Sequence, residues 1–130
     1  MYSKLISLFN NTRLNGKSFF YLNKSVKYLN FLNLLLRESL IKNYKSVYSS
    51  SSCLGGNGLI KVFLIKRNDL FLIKSIKQVS KSNKPVFIKS NKIRLKMDSS
   101  SIILTSMGLM FDVKAKKLNL GGKIICTIFF

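Results

Sequence analysis

The chain has 130 residues and is 47% hydrophobic, enough to bury a core without disulfide or metal staples and too apolar for a disordered basic tail. It carries 23 Lys and Arg against four acids, a formal charge of +19. Only Glu38, Asp69, Asp98 and Asp112 can offset that charge, so the fold repels itself until a polyanion neutralises it.

Taken in order, residues 2–12 place Leu5, Leu8 and Phe9 at helix spacing. Asn15-Gly16 then signals a turn, flanked by Arg13 and Lys17. Residues 19–22 read as a short strand. A second helix is expected over 25–40, with Leu29, Leu32, Leu36 and Leu40 as its stripe. Phe31 and Leu35 broaden that stripe, and Lys27, Asn30 and Arg37 fall away from it, as suits a helix packed on a sheet. Residues 44–48 look like a strand. Residues 49–58, rich in Ser and Gly, read as a flexible connection. Their Gly55-Gly56-Asn57-Gly58 lacks the Lys-Ser/Thr of a phosphate loop.

Two strands, 59–66 and 70–79, are expected to form a hairpin about Arg67-Asn68-Asp69. Residues 80–85 are polar, hold the only proline and mark a subdomain boundary. A short strand follows over 86–89. In 90–97, Lys92, Arg94 and Lys96 alternate with Ile93, Leu95 and Met97, a pattern that fits an edge strand or a turn of helix. Residues 98–101 form a polar joint. The last stretch is an apolar strand, 102–104, then the small turn Thr105-Ser106-Met107-Gly108 and a helical piece over 111–118. Gly121-Gly122 is expected to stop that helix before a final apolar strand, 124–129.

The chemistry open to this chain is narrow. Without His there is no Ser-His or Cys-His nucleophile pair and no imidazole metal site. Cys53 lies in the serine-rich stretch and Cys126 in an apolar strand, so they read as unpaired, Cys126 as a small core residue. The acids are too scattered for a carboxylate pair. The chain is therefore expected to be no enzyme, with no cofactor, metal or small-molecule substrate. No apolar run reaches membrane-spanning length, and the absence of a cleavable signal predicts a protein used where it is made.

Charge and shape remain. Lys and Arg meet phosphates, while small hydroxyl side chains on a tight turn can both donate to and accept from the 2′-OH groups and base edges of an RNA minor groove. Thr105, Ser106 and Gly108 fit that description, although residue types alone allow an ordinary strand-to-helix connection equally well. The basic segment with Lys89, Lys92 and Arg94 would hold phosphates.

The run Thr105-Ser106-Met107-Gly108-Leu109-Met110-Phe111-Asp112, with Ala115 and then Leu118 to Cys126 around Gly121-Gly122, resembles the C-terminal signature of the small-subunit ribosomal protein eight family. That family typically shows Ser-Thr-Ser-Lys-Gly-Val-Met-Thr-Asp and later Gly-Gly-Glu-Ile-Ile-Cys. Residues 74–80 and 86–90 are similar to its hairpin exit and following strand, and residues 25–44 to its second helix and next strand. The resemblance implies an α+β fold of two small subdomains. One, over 1–80, would be α/β with a three-stranded sheet; the other, over 81–130, would be mostly β with a short helix and would bind rRNA. It also implies a structural constituent of the small ribosomal subunit that binds the central domain of small-subunit rRNA, supports assembly and translation, and has other small-subunit proteins as neighbours.

Residue by residue, the minor-groove role passes to Thr105, Ser106 and the backbone at Met107 and Gly108. Leu104 stands at the family's first serine, Met107 at its lysine and Lys123 at the acid after the glycine pair. Arg13 is what remains of the family's N-terminal Thr-Arg-Ile-Arg element, with Lys17 nearby. Divergence and an AT-biased composition point to a mitochondrial ribosome, with a plastid as the alternative. A free-standing basic RNA-binding factor would share every charge argument. A basic membrane-surface protein would instead gather its lysines on one helix face.

Overall fold

The computed structural model describes residues 2–47 and 58–130. Cys53, the end of the 44–48 strand and nearly all of the 49–58 connection lie outside the described residues. The fold is α+β as expected, in two compact units: Ser7–Leu72, and Ile73–Phe130 together with Met1–Ile6. Among the described residues no helix is long and apolar enough to cross a membrane.

The N-terminal unit holds most of α1 (Ser3–Leu14), then β1 (Phe19–Asn23), α2 (Val26–Arg37), β2 (Ile41–Val47) and β3 (Leu59–Leu64). The strands form an antiparallel sheet in the order β1-β3-β2. Strand β3 alternates strictly, burying Ile60, Val62 and Leu64 on one face, as a half-covered strand should. The helices cover that face. Phe9 of α1 meets Phe20 of β1 edge to face at 6.1 Å, and the Tyr44 hydroxyl of β2 donates to Asn33 Oδ1 of α2.

Helix α2 buries Phe31, Leu32 and Leu35, whereas Leu36, expected in the stripe, is exposed. The buried face is rotated because apolar residues occur nearly all round this helix, and the sheet selects among them. The helix also stops before Leu40. Ser39 adopts a left-handed conformation (φ 56°), its N–H donating to Leu36 O and that of Leu40 to Leu35 O. This reciprocal cap closes the helix at the position where glycine is more usual.

The long hairpin expected over 59–79 is cut short. After β3, only β4 (Lys66–Arg67) and β5 (Leu70–Phe71) pair, about Asn68 and Asp69, both at positive φ. That mirror-image turn matches strand twist and suits Asn and Asp. The next strand, β6 (Ser75–Gln78), belongs to the other unit, where it pairs with the final strand.

The C-terminal unit contains β7 (Phe87–Ile88), β8 (Ser99–Thr105), β9 (Gly108–Phe111), α3 (Asp112–Lys117) and β10 (Gly122–Phe129). Its sheet runs β6-β10-β8-β9, with β7 pairing the start of β10. Ile93, Ile103, Met110 and Ala115 form a buried cluster, joined by Ile88, Leu120 and Ile124. Ile102, Cys126 and Ile128 are fully buried as well. The 98–101 joint is instead strand from Ser99 onward: Ser99 is buried and the Ser101 and Thr127 hydroxyls meet across the ladder at 3.1 Å. The 90–97 segment is a single tight turn, Ser90–Lys92, followed by extended chain that buries Ile93.

The glycine pair does not stop α3. Asn119 does, at φ 54°, with its N–H donating to Lys116 O and that of Leu120 to Ala115 O. Nor does the strand at 102–104 lead directly into a helix. It turns back through β9, a strand the sequence reading missed because four residues are too few to show alternation.

Candidate nucleic-acid interface

Thr105-Ser106-Met107-Gly108 is the end of the β8–β9 hairpin, paired Thr105 to Gly108. The Thr105 hydroxyl donates to Gly108 O at 3.0 Å and accepts from Met107 N–H at 3.2 Å. Its side chain is buried, so it braces the turn from within. Ser106 and Met107 form the exposed tip, Met107 with 73% of its surface open. Gly108 lies at φ +107° in open space, so glycine is needed there for the backbone rather than for room.

Gly121 and Gly122 answer a different need. A Cβ on Gly122 would lie 2.2 Å from Leu104 O, and one on Gly121 would lie 2.6 Å from Ile88 O. The pair lets β10 start wedged between the base of the hairpin and the 88–90 segment. Lys123 consequently stands opposite Leu104 on one side and Phe87 on the other. Phe87, Ile88, Lys89, Ser90 and Asn91 line an open groove with the two glycines.

Beyond the groove, Ile93 is the buried anchor that leaves Lys92 and Arg94 exposed on either side. Thus Thr105, Ser106, Met107, Gly108, Lys89, Lys92, Arg94 and Lys123 all belong to the C-terminal unit. The fold brings Lys89, Lys123 and the hairpin base around the glycine pair. Arg13 and Lys17 belong to the N-terminal unit. Arg13 sits in the last turn of α1 with its Nε enclosed and without a hydrogen-bond partner, and Lys17 is exposed in the turn that follows.

Sequence reasoning missed Phe87, 71% exposed at the rim of the groove, and the lysines Lys114, Lys116 and Lys117 of α3. An aromatic residue two positions after the only proline was the available signal for the first. No signal distinguished the α3 lysines from ordinary solvated charge. Lys114, Lys116 and Lys117 occupy the last turn of α3, where cations complement the helix dipole. Asp112, the acid of its first turn, is buried and accepts from the Val113 N–H at 2.9 Å.

A family model described as Ribosomal protein S8 matches residues 2–129. The small ribosomal subunit protein uS8 of Geobacter sulfurreducens is 34% identical over 105 residues, covering 78% of this chain and 75% of the relative. That of Kosmotoga olearia is 31% identical over 104 residues, covering 75% and 74%. The small ribosomal subunit protein uS8c of Cuscuta gronovii is 26% identical over 133 residues and covers 98% and 96%. Because the match spans both units, and with them the hairpin tip and the glycine pair, the chain belongs to the ribosomal protein S8 family.

Proposed function

We propose that this protein is a structural constituent of a small ribosomal subunit, binding the central domain of small-subunit rRNA and supporting assembly and translation without catalysis of its own. The observation that carries this reading is the hairpin tip. Ser106 and Met107 project from a turn pinned by Thr105, beside Lys123, Lys89 and the glycine-walled groove. A rigid, narrow tip with an exposed hydroxyl suits the wide minor groove of folded RNA, and the neighbouring lysines suit its phosphates. Neighbouring small-subunit proteins are the further partners of this reading.

The test is binding to the cognate rRNA fragment. Ser106→Ala should weaken it by about 1–2 kcal/mol and leave random RNA nearly unchanged. Equal losses on both RNAs would remove the turn from the recognition site. Sedimentation of the native protein with small subunits separates this reading from that of a free-standing RNA-binding factor. We place the ribosome in a mitochondrion on composition and divergence. The end-to-end match to the Cuscuta gronovii relative supports the plastid alternative, and organelle fractionation decides between them.

A further inference from the structure

The N-terminal sheet has a second face. Strand pairing aligns its outward residues in three rows: Phe19, Phe63 and Asn43; Tyr21, Lys61 and Lys45; Asn23, Leu59 and Val47. The outer face of a half-covered antiparallel sheet is ordinarily polar. Here three aromatic rings occupy adjoining positions. Phe19 meets Tyr21 edge-on at 5.8 Å and Phe63 at 6.5 Å, and Tyr21 keeps 47% of its surface exposed. Lys61 stands among them, its Nζ 4.1 Å from the Phe19 ring centre, 5.2 Å from that of Phe63 and 5.7 Å from that of Tyr21. None of β1, β2 and β3 contains an Asp or Glu.

The geometry points to this face as a stacking platform for unpaired RNA nucleotides, a second RNA site separate from the hairpin tip. Ring faces on a sheet offer sequence-tolerant stacking surfaces for bases, and lysines between them track the phosphates. Lys61, held over the rings by cation–π attraction, can turn outward to a phosphate as a base takes its place. Asn43 and Asn23 bring amides able to donate and accept at the margins. A double helix could use the lysines but not the ring faces, because its bases are already stacked. An acidic protein would likewise need the charges and not the rings. The proposal rests on the ribosomal reading only for the source of the RNA, since the chemistry of the face stands without it.

The test uses the full chain and a short single-stranded oligoadenylate. Tyr21→Leu and Phe63→Leu should each weaken binding about tenfold, while Tyr21→Phe retains it. Ser106→Ala should leave oligoadenylate binding unchanged, and Tyr21→Leu should leave binding of the folded rRNA fragment unchanged, so failure here and failure of the hairpin reading are told apart. In the unmodified chain, photocrosslinks from a 4-thiouridine oligonucleotide should fall on residues 19–21 and 61–63. Crosslinks elsewhere, or Tyr21→Leu binding as well as wild type, would overturn the proposal. So would crosslinks from a photoreactive residue at position 21 that reach only protein in the assembled particle.

Discussion

Two glycines near the candidate interface are required for opposite reasons, and substitution separates them. Gly122→Ala must push β10 away from the Leu104 carbonyl, a backbone atom fixed by the ladder, because no side chain there can yield. A loss of about 2–3 kcal/mol is expected, read as a lower urea midpoint. Gly108→Ala meets no neighbour and should lose about 1–2 kcal/mol through its positive φ alone. Cys126 makes a second test. Burial pushes its thiol from the ordinary 9.0 up to about 12. An acid whose folded pKa is raised sheds its proton first in the unfolded chain, so its contribution to stability is present below pH 9 and falls between about 9 and 12. Urea midpoints at pH 8 and pH 10.5 should lie closer together in Cys126→Ala than in the parent. In a Cys53→Ser background, a thiol reagent at pH 8 should find no reactive cysteine until denaturant is added. At this scale the sequence disclosed the residue types of the turn and not their division of labour. Threonine and serine carry the same hydroxyl, and only the closed hairpin shows Thr105 facing inward and Ser106 outward.

Among elements, α2 shows how far hydrophobic patterning reaches. Leu35 is fully buried and Leu36 is 36% exposed, although both lie in the broad stripe read from the sequence. Leu35→Ala should therefore cost about 2–4 kcal/mol and Leu36→Ala less than about 1, measured by thermal or urea unfolding. Helix existence was legible from the apolar spacing, but the buried face is set by what the helix packs against. Strands were legible where alternation is long, as in β3, or where a polar proline-bearing stretch sets off a short apolar run, as in β7, and illegible in the four residues of β9. Pairing was the harder problem. Residues 70–79 look like the return arm of a hairpin, yet Ser75–Gln78 pairs with β10, far along the chain. Local pattern does not encode a partner that distant. The helix stops were misplaced for a related reason: Ser39 and Asn119 take left-handed conformations more usual for glycine, and for α3 the stop was expected at the glycine pair.

For the whole molecule, the charge of +19 makes salt act in opposite directions on folding and on binding. Without RNA, the lysines repel one another across water, and added salt screens that repulsion, so the melting temperature of the free chain should rise between low and moderate ionic strength. Bound to RNA, the same lysines displace condensed counterions, and added salt shrinks the entropy those ions gain on release. Affinity for the rRNA fragment should then fall steeply, with a log–log slope of about −4 to −5 if roughly six phosphates are engaged. The two signs distinguish a folded polycation from a chain that binds through apolar surface, for which salt would strengthen both. Charge at named positions can be resolved the same way. Lys89→Ala and Lys92→Ala flank the groove and its tight turn, and each should flatten the slope by about 1 while weakening cognate and random RNA alike. Ser106→Ala should leave the slope untouched and change only the preference for the cognate fragment. A Lys89 or Lys92 variant that kept the parent slope would take that segment off the phosphate-contacting surface, leaving Lys123 and the hairpin tip to hold the RNA.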